Sequence, residues 1–105
     1  MLGRETIRQW VADNAGGLMP DITFGLDEID HISMCMEHIY RWYHEGYPLG
    51  HFLTAVVRND FSGACVQADD TNRKALYLYA LFCANKIGAD YRDKALGKSK
   101  AKGDV

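Results

Sequence analysis

The sequence predicts an all-α protein, a compact orthogonal bundle of about five helices followed by a flexible basic C-terminal tail. Three observations carry that prediction. Apolar residues recur at helical spacing along almost the whole chain, and no alternating β pattern runs longer than a few residues. Acids or Asn precede several apolar runs and glycines follow them, as helix ends require. The length of 105 residues, with 48% hydrophobic content, supports one core and leaves no room for a second.

The spacing places a first helix over about 4–15, with Ile7, Trp10 and Val11 on one face. Thr6 and Gln9 have capping-box spacing there, and Gly16-Gly17 ends it. Leu18, Ile22, Phe24 and Leu26 in the irregular stretch that follows are expected to lie across the core. A long helix over about 27–45 has Asp27 as N-cap, with Glu28 and Asp30 favouring the positive end of its dipole. Its buried stripe is Ile29, Ile32, Met36, Ile39, Tyr40 and Tyr43, and Gly46 suits the left-handed residue that closes it.

Pro48 cannot continue that helix and suits the first turn of the next, along which Leu49, Phe52, Leu53, Val56 and Val57 keep helical spacing. Asn59-Asp60 breaks the pattern and caps a short helix over about 61–68, whose face is Phe61, Ala64, Cys65 and Ala68. A last helix over about 70–87 carries Leu76, Tyr79, Ala80 and Cys83 on one stripe. Leu78, Leu81 and Phe82 widen its apolar surface past half the circumference, so it is expected to be central and contacted from several sides.

The net charge of −2 hides an asymmetry. From Arg92 onward there are five basic and two acidic residues, which leaves seven basic and twelve acidic in residues 1–91. We therefore divide the chain into one helical domain, 1–91, and a basic tail, 92–105, expected to be disordered. No apolar run reaches the length of a membrane helix, and "MLGRETIRQW" carries charge where a signal peptide needs an apolar core, so a cytoplasmic location is expected. Cys35, Cys65 and Cys83 are odd in number and form no CxxC pair, which fits small buried hydrophobes better than a disulfide framework.

The sharpest chemical constellation is His31, Cys35 and His38, which spacings of four and three put on one face of the long helix. These are N and S ligands that could hold Zn²⁺, with His44, His51 or Glu45 as a fourth; the family spacings HExxH and CxxC are absent. The same Cys35 with His31 or His38 is the one local nucleophile–base pairing, and no catalytic motif accompanies it. The expectation is accordingly a non-enzyme without cofactor, and a metal only as the weak alternative at these three residues. The segments 49–58 and 61–68 have helix-turn-helix spacing, but the second offers only Gln67 and ends in acids, so nucleic acid is an unlikely partner.

"GYPLGHFLTAVVRND" (Gly46 to Asp60) followed by "ADDTN" (Ala68 to Asn72) resembles a pattern in small uncharacterised proteins of tailed bacteriophages. Gly46, Pro48, Gly50, Phe52, Leu53, Ala55, Val56, Asn59, Asp60, Ala68, Asp69 and Asn72 carry the match. "IGADYRDKALG" departs from the Cys-Trp-Gly-Ser-like ending of those proteins. The resemblance implies an accessory protein of the host cytoplasm that binds and modulates or inhibits a host protein. Exposed Arg41, Trp42, His44, Tyr47 and His51 would be its anchors, and Asp69, Asp70, Asn72 and Arg73 a polar rim. Two alternatives stand beside it: a helix-turn-helix regulator, and a small-ligand (nucleotide) binder with an aromatic pocket between helices. A homodimer is a further expectation, because Tyr40, Tyr43, Tyr77 and Tyr79 crowd so small a core.

Overall fold

The structure, a computed structural model, describes residues 2–97, the Leu18 side chain excepted. It consists of α1 (Arg4–Leu18), α2 (Leu26–Glu45), α3 (His51–Val57), α4 (Phe61–Gln67), α5 (Asp70–Lys74), α6 (Leu76–Lys86) and α7 (Tyr91–Ala95), with no strand among the described residues. The all-α bundle expected from the spacing is the fold. Seven helical segments replace the expected five because the last helix is split and a short one follows it.

α1 and α2 run antiparallel. Arg4 meets Glu37 and Arg8 meets Asp30, each at 2.5 Å, so rising numbers on one helix face falling numbers on the other. Ile7 and Val11 of α1 and Ile32, Met36 and Ile39 of α2 are buried between them. α6 closes this pair: Leu78, Tyr79, Phe82 and Cys83 complete the core, and Trp10 meets Phe82 edge to face at 5.5 Å. α3 contributes Leu53 and Val57, carries α4 on one side and is touched by α7 on another. No helix among the described residues is long and apolar enough to cross a membrane.

Several boundaries differ from expectation. α1 runs through Gly16-Gly17 to Leu18, because neither glycine needs a left-handed conformation and Met19 still donates to Ala15 O at 3.1 Å. Its N-cap is Gly3, and Gln9 binds Asp13 instead of closing a box with Thr6. The irregular stretch does not cross the core with all its apolar residues: Phe24 packs on it, Ile22 is exposed, and Leu26 is 71% exposed. Gly25 rather than Asp27 caps α2, and the Glu28 carboxylate accepts the Gly25 N–H at 3.0 Å. Gly46 closes the helix as expected, at φ 77°. Pro48 stands in the link before α3, whose N-cap is Gly50.

Asp60 and Asp69 cap their helices by accepting the Gly63 and Asn72 N–H groups at 3.0 and 2.7 Å. The expected helix over 70–87 breaks at Ala75. There the Ala75 N–H bonds Asn72 O three residues back, a tightened turn that ends α5 and precedes α6. The chain beyond Arg92 is not wholly a tail, since α7 occupies Tyr91–Ala95. The remainder of the expected basic tail, 98–105, lies outside the described residues.

Candidate functional site

The aromatic-rich corner where α2 ends is built by two demands on one segment. The core needs Ile39, and Tyr40 and Tyr43 half-buried beside it; the positive φ at Gly46 then turns the chain back. The turn lays Tyr47 over the last coil of α2, where its N–H reaches Arg41 O at 3.4 Å. The Arg41 guanidinium sits 4.4 Å above the Tyr47 ring and also meets Glu45 at 3.4 Å. His38, one turn back, faces the same ring at 4.8 Å, and burial lowers the pKa of its imidazole. His44 is exposed, stacked on Tyr40 at 4.4 Å and edge-on to Tyr43 at 5.0 Å. A preassembled Arg41–Tyr47–His38 stack with His44 beside it is the result.

The other residues expected at this surface are placed differently. Trp42 is half-buried against the core and is no free anchor. Asn72 is buried, and its Oδ1 accepts the Tyr79 hydroxyl at 2.5 Å, so it belongs to the core and not to a polar rim. Asp69, Asp70 and Arg73 are exposed but spent on local bonds: Asp69 caps α5, and Arg73 holds Asp70 and Ala68 O, each at 3.0 Å. Their helix docks beside Glu28 and His31 of α2, about 15 Å along the helix axis from Arg41, so they do not rim the corner. His51 opens α3 and is exposed on a separate cleft.

His31, Cys35 and His38 do not converge as a ligand set. His31 Nε2 lies 3.8 Å from Cys35 Sγ and 3.2 Å from Asp69 Oδ2, while His38 turns to Tyr47. Among the described residues no group of three or more His, Cys, Asp or Glu is arranged to hold a metal. The trio also lacks the geometry of nucleophilic catalysis. Both neighbours of His31 meet one nitrogen, whereas a relay from orienting acid to nucleophile uses both. Burial raises the Cys35 thiol above its ordinary pKa, which keeps it protonated.

Two clefts flank the turn between α3 and α4. The first, about 430 Å³, is apolar: Val56, Phe61, Leu76, Tyr77, Ala80 and Tyr91 line its walls, with Tyr79 and Cys83 beneath. Phe61 and Tyr77 stand 74% and 55% exposed at its edge. Burial pushes the Cys83 thiol up to about 12, so it is an inert wall. The second cleft, about 410 Å³, is polar and takes His51 and Thr54 from α3, Arg58 from its C-cap, and Gly63 and Gln67 from α4. The sequence reading offered an aromatic pocket between helices as an alternative without naming its residues, although their signal was present. The apolar surface of α6 exceeds what its neighbours cover, and Tyr77 and Ala80 are the uncovered part. The second helix of the suspected helix-turn-helix exposes Phe61, Ser62, Val66 and Gln67, a poor set for reading bases.

No family model matches this sequence. Comparison with curated proteins and with solved structures likewise finds no match.

Proposed function

We propose that this protein is a non-catalytic interaction protein that binds a host protein in the host cytoplasm and modulates or inhibits it. The observation that supports the reading is the Arg41–Tyr47–His38 stack at the end of α2. Binding energy at protein surfaces concentrates in Arg, Tyr and Trp side chains already held in place, because little rotamer freedom is then lost on association. Arg41 is pinned by a carboxylate and an aromatic face before any partner arrives. The resemblance of the segment 44–87 to tailed-phage proteins points to a bacterial host as the source of that partner.

The expected homodimer loses its argument from crowding. The Tyr79 hydroxyl is bonded to Asn72, Tyr40 and Tyr43 are half-buried, and Tyr77 is exposed, so one chain accommodates all four tyrosines. The test is affinity capture from bacterial lysate with wild type and with an Arg41→Ala/Tyr47→Ala variant of equal melting temperature. A host protein held by wild type and lost by the variant supports the assignment. Equal capture by both removes it.

A further inference from the structure

The stack at the end of α2 contains one group whose charge changes close to neutral pH. His38 is half-buried, with its ring centre 4.8 Å from that of Tyr47. The Arg41 guanidinium, one turn further along α2, lies 4.4 Å from the centre of the same tyrosine ring. One ring therefore serves a permanent cation and an imidazole together. The link after Gly46 brings that ring to α2, and the Tyr47 N–H reaches Arg41 O only at 3.4 Å, a long bond. The place of Tyr47 on the helix thus depends on its two ring contacts.

The charges around His38 balance only while its imidazole is neutral. The groups that face it are Glu37 and Arg41 of its own helix, Arg4 of α1, and the Tyr47 ring from the link. Glu37 is committed to Arg4 at 2.5 Å, and Glu45, beside Arg41, is committed to that arginine at 3.4 Å. Two carboxylates thus answer two arginines, and an imidazolium would be a third cation with no carboxylate left to meet it. One aromatic face attracts a cation, but two cations at the same ring repel each other. Burial first, and then Arg4 and Arg41 against the opposing Glu37, holds the His38 imidazole below its ordinary 6.5. His44 is exposed and stacks on Tyr40 and Tyr43, so its charge bears on other rings.

We propose that His38 is a proton switch on this corner: the stack is closed while the imidazole is neutral, and protonation lifts Tyr47 from α2 and unpins Arg41. Linkage sets the direction. A group that the closed stack keeps neutral must, once charged, weaken the closed stack by the same factor. The stack is therefore fully closed above the ordinary value of 6.5 and opens as pH falls through the folded value of His38. The use of such a switch rests on the reading of this corner as a binding surface. Arg41 and Tyr47 are its proposed anchors, so a partner is held at neutral pH and released in acid. The switch itself needs no partner.

Proton NMR of the full chain between about pH 8 and about pH 5, the range in which histidines titrate, tests the proposal. The Tyr47 ring protons and the Arg41 Nε–H are expected to shift with the same midpoint as the His38 ring protons. Tyr47→Ala should raise the His38 midpoint. A midpoint about one pH unit lower in wild type than in that variant means that protonation loosens the stack about tenfold. His38→Phe keeps an aromatic neighbour without the proton and should leave the Tyr47 shifts flat across the range. If that variant does not fold, wild type and Tyr47→Ala decide the matter between them. The switch is overturned if the Tyr47 shifts are flat in wild type, follow His44, or stay pH-dependent in His38→Phe. An equal His38 midpoint in wild type and Tyr47→Ala overturns it as well. None of these readouts uses a partner, so the switch and the capture of a host protein fail separately.

Discussion

At the scale of single residues, two positions show how local chemistry decides what the fold can tolerate. Gly16 lies inside α1, its φ is not positive, and a Cβ built there meets nothing within 4 Å. Its flexibility serves no contact, so Gly16→Ala should stabilise the protein by about 0.5–1 kcal/mol, read by chemical denaturation. Glu28 is the opposite case, a side chain with several tasks. It accepts from Lys74 Nζ at 2.8 Å, from the Gly25 N–H at 3.0 Å and from Thr71 at 3.3 Å, tying α5 and the start of α2 together. Those bonds, that of Lys74 first, hold its carboxyl below the ordinary value of 4.5. A carboxyl lowered in the folded state stabilises the fold above the unfolded pKa and loses that contribution as pH falls through the folded one. Glu28→Gln should therefore melt below wild type at neutral pH, and the gap should narrow when melts are repeated below about pH 4.5.

At the scale of elements, the positions of α3, α4 and α7 explain why a short chain offers open clefts. α4 is seven residues long and rests on α3 through Ala64, so its remaining face is left to solvent. α7 and its N-cap are fastened to the end of α2 at one residue, Tyr43. The Tyr43 hydroxyl donates to Asp90, Lys94 Nζ donates to Tyr43 O at 2.7 Å, and the ammonium lies 5.0 Å from the Tyr43 ring centre. Gly88 lies directly against that tyrosine, and a Cβ there would fall on the hydroxyl and ring. Gly88→Ala should accordingly destabilise by about 1–3 kcal/mol, the cost of overpacking. Combining it with Tyr43→Phe should give less than the sum of the two single losses in a denaturation cycle, because the phenyl ring lacks the atom struck first. Additive losses would mean that the two residues do not share this contact.

The same elements show what was legible from the sequence and what was not. The stripe of Ile32, Met36 and Ile39 and the closing Gly46 were readable because helical period and a left-handed cap are local properties. The break at Ala75 was not. It follows from Asn72 turning inward to Tyr79, a contact between residues seven apart that no local propensity announces. For the same reason Asn72 looked like an exposed partner of Asp69 and Arg73. Trp42 was misplaced because the stripe of α2 is wider than the spacing of its strongest apolar residues. Of the expected exposed anchors at this corner, His44 is exposed while Arg41 and Tyr47 are half-buried, because the turn at Gly46 lays the chain back and stacks them on each other.

For the whole molecule, the bundle spends its apolar residues on one core and leaves two separate surfaces, the aromatic corner at the end of α2 and the clefts beside the α3–α4 turn. The buried thiols of Cys35 and Cys83 are held protonated, and His31 meets Asp69 at the start of α5, so these three side chains serve the fold. Binding at the first of these surfaces is the activity proposed above. Replacing Tyr47 with a photo-cross-linking phenylalanine analogue tests it most directly, with Asp13 on the exposed face of α1 as the control position. On irradiation in bacterial lysate, the Tyr47 probe should yield one discrete adduct that untagged wild type competes away, and the Asp13 probe none. Equal adducts from both positions, or none from Tyr47, would contradict the account.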